Sequence, residues 1–183
     1  MAAPHRKDRY GETWDPAQIA ALSTEIHKVR EWAVISGGWA WHYMSPPHAE
    51  YKHAHDHKDV DLLIPRRSFA ALMAAVQAAG YQREWTRFDG LTPDFYRYAT
   101  VVPGGGRPVK VLFDIFVEDA PWVETPSGMR VVEPGYLLSL YGKKHSSDLC
   151  FSVQIARDLV RRGENPEGHP AMAEFGRFFG ESG

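Results

Sequence analysis

Apolar positions recur along this chain at two different periods, and the changes of period mark out its elements. Ile19, Leu22, Ile26 and Val29 repeat at helical spacing behind Asp15-Pro16, an N-cap followed by the residue best suited to the first helical position. A helix from about Pro16 to Glu31 is expected, with its apolar stripe buried. Trp32 to Ile35 is a short run of strand type. Ser36-Gly37-Gly38 then turns the chain into a short helix around Trp39 to Met44. From Ser45 to Asp56 no period survives and Pro46-Pro47 intervenes, so a loop is expected, of a length that tends to serve function or to move. Asp59-Val60-Asp61 enters a second apolar run, Leu62-Leu63-Ile64.

Phe69, Leu72, Met73 and Val76 mark an amphipathic helix over Arg66 to Ala79, stopped by Gly80. Tyr81 to Phe88 and Phe95 to Val102 read as strands. Pro93 makes their connection around Asp89-Gly90 longer than a two-residue hairpin. Pro103-Gly104-Gly105-Gly106 is a turn and not a phosphate loop, because neither Lys-Ser/Thr nor a helix follows it. Val109 to Val117 is a strand with Lys110, Leu112, Asp114 and Phe116 on one face. Arg130 to Val132 is another. Glu133-Pro134 opens a helix carrying Leu137, Leu138 and Tyr141 toward Lys143-Lys144-His145. Leu149, Val153, Ala156 and Val160 mark a last helix from about Ser147 to Arg162. No linker divides this pattern, so one domain over 15–162 is expected, with a loose lead-in over 1–14 and a C-terminal extension over 163–183.

Composition narrows the class. At 183 residues, 44% hydrophobic and 24% charged, the chain reads as one soluble globular domain. A net charge of −2 argues against life on nucleic-acid phosphates, which calls for a basic surplus or stripe, and favours a small second substrate. Cys150 is the only cysteine, so no internal disulfide forms. No apolar run nears the roughly 18 residues of a membrane span, and the amino terminus lacks a signal peptide's apolar core. The cytoplasm is the expected address, and no membrane partner is expected.

Chemistry concentrates between Ala33 and Ile64. Two glycines after a strand can expose backbone N–H groups at a helix start, where anions bind, although a glycine pair alone fits an ordinary tight turn as well. Asp59 and Asp61, at i and i+2 on a strand, point to one face and can share a ligand. An anion cradle followed by a close acidic pair suggests a nucleoside triphosphate carried with Mg²⁺. His53, His55 and His57 alternate, with His42 and His48 nearby. They raise a zinc site as one reading, with solvated or substrate-lining histidines placed ahead of it. Asp114 interrupts an otherwise apolar strand. A carboxylate there needs pairing, hydrogen bonds or a metal, and both a functional role and a bond to a neighbouring loop stay open.

Gly37-Gly38-Trp39-Ala40 followed by His57-Lys58-Asp59-Val60-Asp61-Leu62 resembles the signature of the small antibiotic nucleotidyltransferases in the DNA polymerase beta superfamily. The aminoglycoside 2''- and lincosamide nucleotidyltransferases are the nearest by pattern. The likeness extends over about Pro16 to Arg162 through Val132-x-Pro134-x-x-Leu137-Leu138 and Lys144-His145-x-x-Asp148. It implies an α+β nucleotidyltransferase fold, a mixed twisted β-sheet packed against helices. It further implies a catalytic metal site of Asp59, Asp61 and Asp114 holding two Mg²⁺, and a triphosphate, expected to be ATP, on Ser36, Gly37 and Gly38. Lys143 or Lys144 would meet the phosphates. The acceptor would be a small hydroxylated molecule, an antibiotic among the candidates, lined by His55, His57 and Glu118. His55 stands where the family has arginine, and Trp41-His42 replaces the small or acidic residues that follow its Gly-Gly-Trp-Ala. The acceptor is therefore left open. Two alternatives are a toxin-like enzyme of the same fold acting on tRNA or protein, and a non-enzymatic His-rich metal-binding module.

Overall fold

The Asp15 side chain accepts a hydrogen bond from the Gln18 amide (2.9 Å) while the Gln18 side chain accepts one from the Asp15 amide (3.0 Å). This reciprocal cap starts helix α1, Pro16–Val29. The computed structural model describes residues 15–44, 59–133 and 136–137. After α1 come strand β1 (Val34–Ser36), helix α2 (Gly37–Met44), β2 (Val60–Leu63), helix α3 (Arg66–Ala78), β3 (Gln82–Glu84), β4 (Phe95–Gly104), β5 (Arg107–Phe116), β6 (Trp122–Glu124) and β7 (Arg130–Val132). The amide groups of Trp32 and Ala33 bond the Val29 carbonyl. They therefore close α1 rather than begin the strand, which starts two residues later than the apolar run suggests.

Among the described residues seven strands form one sheet in the order β3-β4-β5-β2-β1-β7-β6. The pairs β2/β5 and β1/β7 are parallel, and the rest are antiparallel. The α+β class with a mixed sheet packed against helices is borne out. Tyr81 stacks on Phe113 of β5 (centroids 4.8 Å apart) and donates its hydroxyl to Glu25 of α1, 2.9 Å away. Phe69 of α3 meets Tyr96 of β4 at 4.9 Å. Helices α1 and α3 thus cover the face that carries Phe113 and Tyr96. Leu22, Ile26, Trp39, Leu62, Leu72, Phe113 and Ile115 are fully buried in the core. By alternation, Asp61, Asp114 and Arg97 belong to the opposite face.

The β4–β5 ladder runs through Gly104 and Arg107, so the turn shrinks to Gly105-Gly106, with Gly105 at φ +78°. Strand β3 ends at Glu84, short of Phe88. The Asp89 carboxylate takes the Thr86 amide (2.5 Å) and pairs with Arg83, which folds the chain into a loop. Strand β6 was not expected from its sequence, because three residues carry too little pattern; the Thr125 hydroxyl bonding the Met129 amide (3.1 Å) closes its hairpin with β7. The expected loop over Ser45 to Asp56 and the helices beyond Leu137 lie outside the described residues. Among the described residues no helix is long and apolar enough to cross a membrane.

Candidate active site

Strand register assembles one polar row across the sheet. Ser36 pairs with Asp61, Asp61 with Asp114, Asp114 with Arg97, and Arg97 with Glu84. Neighbouring strands lie about 4.8 Å apart, so five polar side chains stand in line where the adjacent row, Ile35, Leu62, Ile115 and Tyr96, is apolar or aromatic. Asp59 precedes β2, two positions from Asp61, and reaches the same neighbourhood: its Oδ2 lies 3.5 Å from the Arg97 guanidinium. The three acids expected at the site therefore lie around the junction of β2, β5 and β4.

Gly37, the first residue of α2, sits at φ +62°, a conformation that L side chains rarely adopt. A Cβ on it would fall directly on Asp61 Oδ2. The start of α2 is thus pressed against the carboxylate of the second strand, and glycine is required on both conformational and steric grounds. Ser36, at the end of β1, is buried and lies directly across from Asp61.

Arg97 was not foreseen in the sequence. Its Nε and Nη2 donate to Asp114 Oδ1 and Oδ2, both at 2.5 Å, a bidentate fork on a carboxylate that is only 7% exposed. The Asp114 hydrogen bonds raise the Arg97 pKa further, against the lowering effect of burial. Asp114 is therefore paired with an adjacent strand and not with a loop. Counting outward from the Gly105-Gly106 turn places Arg97 opposite Asp114, the one signal in the sequence that could have found it.

The donor set suits a hard divalent cation, since all three side chains offer carboxylate oxygen, and Asp61 stands directly across from Asp114 in register. Among the described residues no three acidic, histidine or cysteine side chains are closed around a single ion position. The geometry gives the cause, because both oxygens of Asp114 are turned to Arg97. Glu118 is placed elsewhere. It lies four residues beyond Asp114, past the end of β5, and accepts the hydroxyl of Tyr136, whose phenol this bond pushes up to about 12. Lys143, Lys144, His55 and His57 lie outside the described residues.

Fold and site together define an α+β protein whose mixed sheet bears an acidic cluster beside a glycine-started helix. No protein-family model matches the chain, and no curated protein does. Among solved structures it is similar to JHP933 from Helicobacter pylori, at 15% identity over 80% of this chain and 68% of that one, with a TM-score of 0.53. At that identity the likeness is one of fold. It is also similar to the antibiotic-resistance factor ANT(2'')-Ia in its solution structure (16% identity, 90% and 95% of the two chains, TM-score 0.49) and in its crystal complex with adenylyl-2''-tobramycin (14%, 90% and 98%, TM-score 0.39).

Proposed function

We propose that this chain is a Mg²⁺-dependent nucleotidyltransferase that moves a nucleoside monophosphate from a triphosphate, expected to be ATP, to a hydroxyl of a small molecule and releases pyrophosphate. The observation that carries this reading is the register of Ser36, Asp61 and Asp114 on one face, with Gly37 held against Asp61. Asp59, Asp61 and Asp114 would hold two Mg²⁺, which when bound supply positive charge as negative charge grows on the phosphate oxygens. The Ser36-Gly37-Gly38 segment would present N–H groups at the start of α2 to the polyphosphate. Asp114, once free of Arg97, would accept the proton of the attacking hydroxyl. Lys143 or Lys144 would meet the phosphates, and His55 and His57 would line the acceptor. Glu118 would join them only at the far end of an extended acceptor, given its place beyond the end of β5.

The test is to incubate the purified protein with labelled nucleotides, Mg²⁺ and a panel of aminoglycosides, lincosamides and tRNA. Label should pass to one small acceptor with release of pyrophosphate. Asp59→Asn and Asp61→Asn should each lower transfer at least about a hundredfold, the loss expected when several kcal/mol of charge stabilisation disappears, while circular dichroism stays that of the wild type. Turnover near the wild-type rate in either variant would refute the assignment, and label on tRNA alone would move the acceptor to the macromolecular class.

A further inference from the structure

Arg97 occupies the place where that reading needs a metal ion. Its guanidinium grips both oxygens of Asp114 at 2.5 Å and approaches Asp59 Oδ2 at 3.5 Å. One fixed cation of the protein thus serves two of the three acids. Like charges packed this closely destabilise a fold that carries them unpaired, and a carboxylate as buried as Asp114 needs a partner. The same row offers Arg97 a second acid. Glu84 is directly across from it on β3, and its charge already acts on the guanidinium. Glu84 pairs with Lys110 through one oxygen at 2.6 Å, and its carboxylate has a second.

Resting on the nucleotidyltransferase reading, we infer that Arg97 is the resident counter-ion of the site: it neutralises Asp114 and Asp59 in the metal-free protein, and a divalent cation binds by taking Asp114 from it. Arg97 then turns toward Glu84, so the β3–β4 pair acts as its alternate seat. This makes Arg97 a positioning residue that sets metal affinity.

Three measurements on the full chain test this. In the wild type, the Arg97 Nε–H resonance should lie downfield in the metal-free protein and move upfield in step with Mg²⁺ saturation. By Mn²⁺ titration followed by electron paramagnetic resonance, Arg97→Gln should bind at least tenfold more tightly than the wild type. Glu84→Gln should bind severalfold more weakly, because the displaced arginine loses its other partner. Arg97→Gln should also gain more thermal stability from Mg²⁺ than the wild type does. An Nε–H resonance unmoved at saturating Mg²⁺, or Mn²⁺ binding by folded Arg97→Gln no tighter than wild type, overturns the inference about Arg97 and leaves the metal site standing. Should Arg97→Gln fail to fold, the wild-type resonance decides alone. Failure of wild type and Arg97→Gln alike to bind Mn²⁺ would overturn the nucleotidyltransferase reading itself.

Discussion

Gly37 leaves the site no slack. A left-handed φ costs an L residue about 1–2 kcal/mol, and an added methyl would also land on Asp61. Gly37→Ala is therefore expected to lower the unfolding free energy by about 1–3 kcal/mol, read as a lower urea midpoint with an unchanged slope, and to weaken Mn²⁺ binding by displacing the carboxylate. A variant with the wild-type midpoint would show that the contact is not tight. Residues that lie close together in the chain were legible at this scale. Gly37, Asp59 and Asp61 follow from a turn and an i, i+2 spacing. Arg97 was not legible, because a charged residue alternating with Tyr96 and Tyr98 looks like the wet side of a strand until the partner strand is laid beside it.

Between elements, the tie from α1 to the start of β3 sets a dependence on alkaline pH. Glu25 is buried on α1 and accepts from Tyr81 (2.9 Å) and Lys28 (2.6 Å). Burial first, then the Glu25 charge, raises the Tyr81 pKa well above its ordinary value. A phenol whose folded pKa is raised keeps its proton longer in the folded state. Its stabilisation is complete below about pH 10, the ordinary tyrosine value, and is lost as pH rises from there toward the folded value. Tyr81→Phe should cost about 1–3 kcal/mol at pH 7, since Glu25 loses a donor, and its unfolding free energy should fall less steeply than that of the wild type above pH 10. Tyr43, pushed up to about 12 mainly by burial, adds the same slope to both proteins, so the difference isolates Tyr81. Parallel slopes in urea titrations across this range would contradict the assignment. Periodicity found most described elements and missed their ends, because α1 closes on the Trp32 and Ala33 amides and β3 is cut short by Asp89, contacts between specific atoms that no period encodes.

Across the whole molecule, the sheet order brings residues 36–37, 59–61, 97 and 114 to one place. Hydrophobic period says which face of a strand is buried, but not which strand is its neighbour, so the β5-β2-β1 order was beyond it; the resemblance carried by the Gly-Gly-Trp-Ala and Asp-Val-Asp motifs supplied the mixed sheet instead. The proposed function makes this junction a divalent-cation and polyphosphate site. The most direct measurement is anomalous diffraction from crystals grown with Mn²⁺ and a non-hydrolysable ATP analogue. The proposed function predicts a manganese peak within bonding distance of oxygens of Asp59 and Asp61, the analogue's phosphates at the Ser36-Gly37-Gly38 bend, and Arg97 turned from Asp114. A clear analogue without manganese at these acids, or phosphates bound away from that bend, would contradict it.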